Sequence, residues 1–430
     1  MTKEIKMDQK IFGSNHQFLF SADELRIYHI PPNFSGPYNL AGDLARHTIP
    51  AGSGCLNKVV LNMSATCNLR CVYCYADFGL YSHQETGLLQ THALHKIVNS
   101  LISDEISMIE VVELFGGEPL SNKRLLSTTL ELFNQNFEVS NFLLTTNGTF
   151  MDAKTAKILS EYDVWVCVSI DGPRFINDKL RGEGTYDKAI HSIQLLRDAG
   201  NVNVGVVATI TGFHHQEGIS GNDVIEHFHD LELPVRVMNV ATKETEISTG
   251  EIFDSTLFQQ QIEYEFDKIE AGNSSLSLIS EINEIISALA FREGSMEFCD
   301  DLNRGYSRTF DVDGSEYNCF HFWGDQKLQL SSDKMLLPLV VKYNSKNGRN
   351  CEFCWARNIC KSCPALIMSG DLDLPYSDGA CRKEQRFSMV LEELGKRIEN
   401  QAINSILANF GNNYFDLGKR LGWIYPEAKA

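Results

Sequence analysis

Between residues 57 and 240, short apolar runs alternate six times with stretches of helical periodicity, an order that few folds accommodate. The runs are Val59 to Met63, Ile109 to Phe115, Phe142 to Thr146, Val164 to Ile170, Val204 to Ile210 and Val235 to Val240. Between them, Leu94, Ile97, Val98, Leu101 and Ile102 fall on one helical face, as do Ala189, Ile190, Ile193, Leu195 and Leu196. Strand and helix in strict alternation imply an α/β chain with a parallel sheet, whose right-handed crossovers can curl into an open barrel. In such a sheet the loops at the C-terminal ends of the strands hold the chemistry.

The first of those loops carries Cys67-Asn-Leu-Arg-Cys71-Val-Tyr-Cys74. Three thiols on one short loop can ligate three irons of a cubane cluster, leaving a fourth iron open to chelate a small molecule. A zinc knuckle or buried structural thiols are the alternatives. No fourth Cys lies nearby, and His83 is nine residues beyond Cys74, so a closed tetrahedral zinc site is poorly supplied.

Charge and composition narrow the classes of function. Net charge is −18, from 38 basic and 56 acidic residues, which disfavours a nucleic-acid surface because phosphate contacts need clustered Lys and Arg. An acidic surface suits a basic peptide, although solubility accounts for it equally well. No apolar run approaches a membrane span, and the first ten residues lack the apolar core of a signal peptide, so a cytoplasmic chain with no membrane partner is expected. There, twelve cysteines read as metal ligands better than as disulfides, and seven of them fall late in the sequence.

The three-then-two spacing of Cys67, Cys71 and Cys74, directly after the first strand, resembles the signature of the radical S-adenosylmethionine (SAM) superfamily. Gly116-Gly117-Glu118-Pro119 after the second strand resembles that family's motif for the methionine amine, and Thr145-Thr146-Asn147-Gly148 its Thr-Asn-Gly. The resemblance implies a partial (β/α)6 TIM-like barrel. It also implies a [4Fe-4S] cluster on the three cysteines, Ser169 at the ribose of SAM, Arg181 at its carboxylate and Tyr73 beside its adenine. Asp171 is a weaker site candidate, equally suited to capping the next helix. A reduced cluster of this kind passes an electron to SAM and yields a 5′-deoxyadenosyl radical that abstracts hydrogen from an unactivated carbon.

A second cysteine group, Cys351-Glu-Phe-Cys354 through Cys360-Lys-Ser-Cys363, would pass alone as a zinc ribbon. With Cys299, Gly314-Ser-Glu-Tyr-Asn-Cys319 and Cys381, it resembles the SPASM extension, a C-terminal cysteine-rich domain that carries two auxiliary iron-sulfur clusters. Carried over, Cys351, Cys354, Cys360 and Cys381 hold one cluster, while Cys299, Cys319 and Cys363 hold the other with an open position. Three [4Fe-4S] clusters are thus implied. Two residues separate Cys360 from Cys363 where many relatives have three, which leaves Cys363 open; Cys55 and Cys167 match no ligand position and read as structural.

The expected organisation is a β-rich extension at residues 1–56, the barrel at 57–243, a helical bridge at 244–296, the SPASM domain at 297–385, and a C-terminal helix and tail at 386–430. The extension includes Gln17 to Phe20 and Leu25 to Ile30 as strands. The family resemblance implies an oxidoreductase that matures a ribosomally made precursor peptide, forming an intramolecular cross-link by net two-electron oxidation, with a flavodoxin- or ferredoxin-type electron donor. In sulfatase-maturing relatives, an acidic residue follows the Gly-x-x-x-x-Cys unit as general base. Phe320 stands there, which argues against formylglycine formation. His321, Asp313 and Asp325 are weak candidates for a base. The alternatives are a formylglycine-forming sulfatase maturase and, from another class, a zinc-binding interaction protein.

Overall fold

The computed structural model describes residues 9–12, 17–21, 26–30, 54–240, 255–272, 279–291, 307–330, 354–356, 359–360 and 382–409. Cys299, Cys351, Cys363 and Cys381 lie outside the described residues. The chain divides into two units, one containing the parallel sheet and one mainly helical.

In the mainly helical unit, β1 (Gln9–Phe12), β2 (Gln17–Ser21) and β3 (Arg26–Ile30) form an antiparallel sheet in that order. The sheet unit begins with β4 (Cys55–Ser64). Then follow α1 (Thr91–Ser103), β5 (Met108–Gly116), α2 (Lys123–Asn136), β6 (Glu138–Thr146), α3 (Ala153–Glu161) and β7 (Trp165–Ser169). Next come α4 (Arg174–Arg181), α5 (Thr185–Asp198), β8 (Val204–Ile210), α6 (Gly212–Gln216), α7 (Gly221–His229) and β9 (Val235–Asn239). All six strands expected from the apolar runs form, and they pair in parallel in the order β4-β5-β6-β7-β8-β9.

Parallel strands covered by their own crossover helices are apolar almost throughout, and β4 buries Leu56, Val59, Val60, Leu61 and Met63. Ala93, Leu94, Ile97, Val98 and Leu101 of α1 pack into the same core. Each larger side chain buried there contributes about 1.5–3 kcal/mol. Ile102, expected on that face, is 46% exposed, because it lies at the margin of the arc formed by Ala93, Leu94, Ile97, Val98 and Leu101. On α5, Ala189, Ile193 and Leu196 are buried, and Ile190 and Leu195 pack partly against them. Cys167 is buried on β7, where desolvation pushes its thiol to about 12.

The sheet is wider than the sequence pattern implied. Beyond β4 it continues through β10 (Ser307–Phe310), parallel to β4, and β11 (Glu316–Tyr317), antiparallel to β10. The start of the segment expected to be cysteine-rich therefore extends the sheet. Arg308 is the reason a polar tetrapeptide can lie there. It is 3% exposed, and its guanidinium bridges Asp104 at 2.6 Å and Glu316 at 2.5 Å.

The mainly helical unit also holds α8 (Ser255–Glu270), α9 (Ser280–Phe291) and α10 (Arg382–Glu399), the last beginning before residue 386. Phe258, Ile262, Phe266 and Ile269 of α8 pack in one core with Ile282, Ile286, Trp355, Phe387, Val390 and Leu394. Cys354 and Cys360 are partly buried against that core. No helix among the described residues is long and apolar enough to cross a membrane.

Candidate functional site

The site lies where β4, β5, β6 and β7 end. After β4 the chain turns through the cysteine loop, closed by a hydrogen bond from Cys74 N–H to the Cys71 carbonyl at 3.1 Å. Donors face two of the sulfurs: Leu69 N–H reaches Cys67 Sγ at 3.4 Å, Asn147 Nδ2 the same sulfur at 3.7 Å, and Phe78 N–H Cys74 Sγ at 3.3 Å. Burial pushes the Cys67 thiol up and that of Cys71 to about 11, the charge of Cys74 adding to both. Such thiols ionise when a metal centre supplies the compensating positive charge.

Among the described residues, no three His, Cys, Asp or Glu groups close to the spacing of a single metal ion. Three thiolates of a cubane bind three different irons and need no such convergence. Three thiols on one loop, with N–H groups aimed at two of the sulfurs, fit the cluster by donor chemistry.

The Gly116-Gly117 pair works by close approach of backbones. A Cβ on Gly117 would lie 2.4 Å from Thr66 O and 2.7 Å from Gly79 Cα, so glycine lets the turn after β5 press against the cysteine loop. Gly117 N–H donates to Ser64 O at 2.8 Å and Glu118 N–H to Thr66 O at 2.9 Å. These N–H groups therefore serve the contact between the two turns.

Glu118 is fully buried. Its Oε1 accepts from Leu120 N–H at 2.9 Å and from the Thr146 hydroxyl at 2.6 Å, and its Oε2 from Asn147 N–H at 2.7 Å. Burial raises its pKa, against the lowering effect of these three bonds. All three donors are neutral, and among the described residues no Lys, Arg or His side chain pairs with it. A carboxylate has about four acceptor positions, so one remains, and a buried anion with only neutral partners fits the ammonium of an amino acid. The Thr146-Asn147-Gly148 turn is thus the platform that holds Glu118. Ser169, the last residue of β7, is half-buried and in register with Val207.

Asp171, two residues further, is also fully buried but differently partnered. It accepts from Arg181 Nε at 2.7 Å and Nη2 at 2.9 Å, from the Tyr73 hydroxyl at 2.6 Å and from Thr209 N–H at 2.9 Å. It does not cap α4, whose N-cap is Pro173. Arg181, expected at the SAM carboxylate, gives Nε and Nη2 to Asp171, because a carboxylate taken wholly out of water needs a cation. Tyr73, expected beside adenine, gives its hydroxyl to Asp171 and lies under the guanidinium, 5.5 Å from ring centroid to Cζ.

The three weak base candidates lie in the β10–β11 region. Asp313 accepts from Ser315 N–H and its hydroxyl, both at 2.8 Å, and Asp325 from Lys327 N–H at 2.9 Å, so each shapes a turn. The His321 ring lies 4.9 Å from that of Tyr75 and 4.5 Å from that of Phe320. Phe320 also packs on Phe115 at 5.2 Å. Cys319 is buried beside this aromatic group, and both Cys319 and Cys74 act electrostatically on Tyr75 and Tyr81.

Sequence reasoning missed Asp311. It accepts from Asn62 Nδ2 at 2.8 Å and Gly324 N–H at 3.0 Å, and it pairs with His83 Nε2 at 2.8 Å. His83, set aside as a zinc ligand on spacing, joins the tail of the cysteine loop to the end of β10. No local signal could have found either, since Asn62 and Asp311 are 249 residues apart.

Residues 61–230 match the model of the Radical SAM superfamily. The chain is 35% identical over 160 residues to Fe-coproporphyrin III synthase of Methanosarcina barkeri, covering 35% of this chain and 36% of that protein. To mycofactocin maturase MftC of Mycobacterium tuberculosis it is 29% identical over 151 residues, 35% and 36% of the two chains. The match thus spans about a third of the length of these curated relatives. The fold resembles the solved structure of anSMEcpe with bound AdoMet, with a TM-score of 0.61, 20% identity, and 81% and 99% of the two chains covered. The form of anSMEcpe with AdoMet and the Kp18Cys peptide gives a TM-score of 0.59 at the same identity and coverage.

Proposed function

The chain carries a radical SAM domain, and we propose that it matures a ribosomally made precursor peptide, joining two of the peptide's own residues with loss of two hydrogens. The observation that carries the SAM half is the fully buried Glu118, held by neutral donors alone, beside a three-thiol loop. In this reading Cys67, Cys71 and Cys74 hold a [4Fe-4S] cluster. Glu118 accepts the ammonium of SAM through its remaining lone pair, and the Ser169 hydroxyl meets the ribose. Bound there, cluster and SAM supply hydrogen-atom abstraction from an unactivated carbon. The N–H groups of Leu69, Phe78 and Asn147 orient the sulfurs, and the close turns at Gly79 and Gly117 keep water from the contact between the loops.

The peptide half rests on the second cysteine group. Removing two hydrogens takes one as an atom and leaves an electron and a proton. Auxiliary clusters on Cys299, Cys319, Cys351, Cys354, Cys360, Cys363 and Cys381 would accept that electron. A flavodoxin- or ferredoxin-type protein would reduce the first cluster. The fold likeness to a protein solved with a bound peptide supports a peptide as the substrate class. Phe320, packed on Phe115, occupies the position where formylglycine formation would require an acid, which favours cross-linking over the sulfatase alternative.

Anaerobic incubation of the reconstituted chain with SAM, reductant and the peptide encoded beside its gene is the test. The expected result is 5′-deoxyadenosine together with a product lighter by two hydrogens. Neither appearing would refute the maturase reading. Metal analysis is independent of the peptide: about twelve irons per chain are expected, whereas zinc with almost no iron would return the chain to the interaction-protein class.

A further inference from the structure

The cysteine loop is fastened at one point by a group of buried and half-buried side chains that the proposed chemistry does not use. Tyr73 stands between Cys71 and Cys74, and its hydroxyl donates to Asp171 at 2.6 Å. Asp171 is fully buried, and Arg181, 8% exposed, meets it through two nitrogens. Next to them Val72 N–H donates to Leu180 O at 3.0 Å, and Tyr73 packs against Ile176, Leu180 and Phe213. The loop is therefore tied to the end of β7 and to α4 by both polar and apolar contacts. His214, fully buried, fixes the other side of Asp171 by a 2.7 Å contact from Nε2 to its backbone carbonyl.

The charges of this group bear on the cluster position. Asp171 meets the hydroxyl of Tyr73, which stands between Cys71 and Cys74, and Arg181 Cζ lies 5.5 Å from the Tyr73 ring centroid, so the opposite charges of the pair sit beside the cysteine loop. A cluster gains negative charge when reduced, so a lone guanidinium there would stabilise the reduced form and raise the reduction potential. A paired one does so far less. Such charges and hydrogen bonds are among the levers by which proteins set cluster potentials.

We propose that Asp171, Arg181 and Tyr73 form a charge-compensated clamp that fixes the cysteine loop and keeps the reduction potential of its cluster low by neutralising Arg181. The three act as positioning residues. The inference rests on the cluster assignment to Cys67, Cys71 and Cys74, and it gives Asp171 a role separate from holding SAM.

Redox titration of the reconstituted full chain without SAM, followed by electron paramagnetic resonance, tests the electrostatic half. D171N should shift the potential of the first cluster upward, and the double variant D171N/R181Q should bring it back toward the wild-type value. A structural role alone would give no such reversal. An unshifted D171N, or a double variant as shifted as D171N, would overturn the proposal. Y73F keeps every charge and serves if the buried-pair variants fail to fold. In the apo chain its amides at 67–76 should exchange with deuterium faster than in wild type, and unchanged exchange would overturn the clamp. A wild-type chain that takes up no cluster would instead refute the cluster assignment, leaving the Y73F arm to decide whether the clamp exists.

Discussion

Two carboxylates at strand ends on either side of β6, Glu118 after β5 and Asp171 after β7, are both fully buried, yet they are held in opposite ways. Asp171 carries its own cation, gripped through two nitrogens of Arg181. Glu118 has only a hydroxyl and two backbone N–H groups. Desolvating a charge costs several kcal/mol, and a paired ion recovers much of that within the protein. An ion with neutral partners recovers less and keeps an appetite for a cation from outside. The first pattern is complete within the chain; the second leaves room for a cation. Burial alone does not separate them; the charge of the partners does.

Breaking the Asp171 pair should have the largest effect. R181M leaves a buried carboxylate without its cation and should cost about 3–5 kcal/mol of unfolding free energy. Urea denaturation of the apo chain measures it, and D171N/R181M should cost less than the sum of its single changes because each removes the other's penalty. Strict additivity would mean that the two residues do not act as a pair, and the contrast with Glu118 would dissolve.

Glu118→Gln sharpens the contrast from the other side. It removes an uncompensated charge but turns an acceptor oxygen into an NH2 group facing a donor, an exchange that should net about 1–2 kcal/mol or less of apo stability. Calorimetric titration of cluster-loaded protein should nonetheless show SAM binding weakened at least about tenfold, one lost charge-assisted hydrogen bond being worth about 1.5–3 kcal/mol. A variant as destabilised as R181M but binding SAM normally would reverse the assignment of the two carboxylates.

How far the sequence foretold this arrangement depends on how local each cause is. The six parallel strands and the helices between them follow from apolar periodicity, and the cysteine loop and the Gly-Gly-Glu-Pro turn from motifs a few residues long. The partners of the functional groups follow from neither. Arg181 was legible as a cation suited to a carboxylate; that the carboxylate is Asp171 depends on how α4 returns over the end of β7. β10 was invisible because Ser307-Arg-Thr-Phe310 is short and polar at all but its last residue, and its place in the sheet depends on Arg308 finding Asp104, 204 residues away. Gly117 shows the converse: the glycine stands in a legible motif, but its reason, that an added Cβ would lie 2.4 Å from Thr66 O, exists only once two turns have met.

His83 and Asp311 offer a third arrangement, a pair whose charge depends on pH, and the smallest expected effect. Nε2 faces the Asp311 carboxylate at 2.8 Å and Nδ1 the Leu80 carbonyl at 2.6 Å, so both ring nitrogens meet acceptors and the imidazolium is the form that satisfies both. Burial works against that charge, but the hydrogen bond and charge of Asp311 outweigh it and raise the pKa above the ordinary value of 6.5. A histidine whose folded pKa lies above its unfolded one stabilises fully below the unfolded value and loses that contribution as pH rises through the folded one. The wild-type melting temperature should therefore fall from about pH 6 to about pH 8 by more than that of H83Q. D311N should lose the same pH dependence, since the carboxylate is what holds the proton on the ring. Equal slopes in wild type and H83Q would show that the loop and β10 are joined by neutral contacts alone. The pair would then belong with the hydrogen bonds around Glu118 rather than with the ion pair at Asp171.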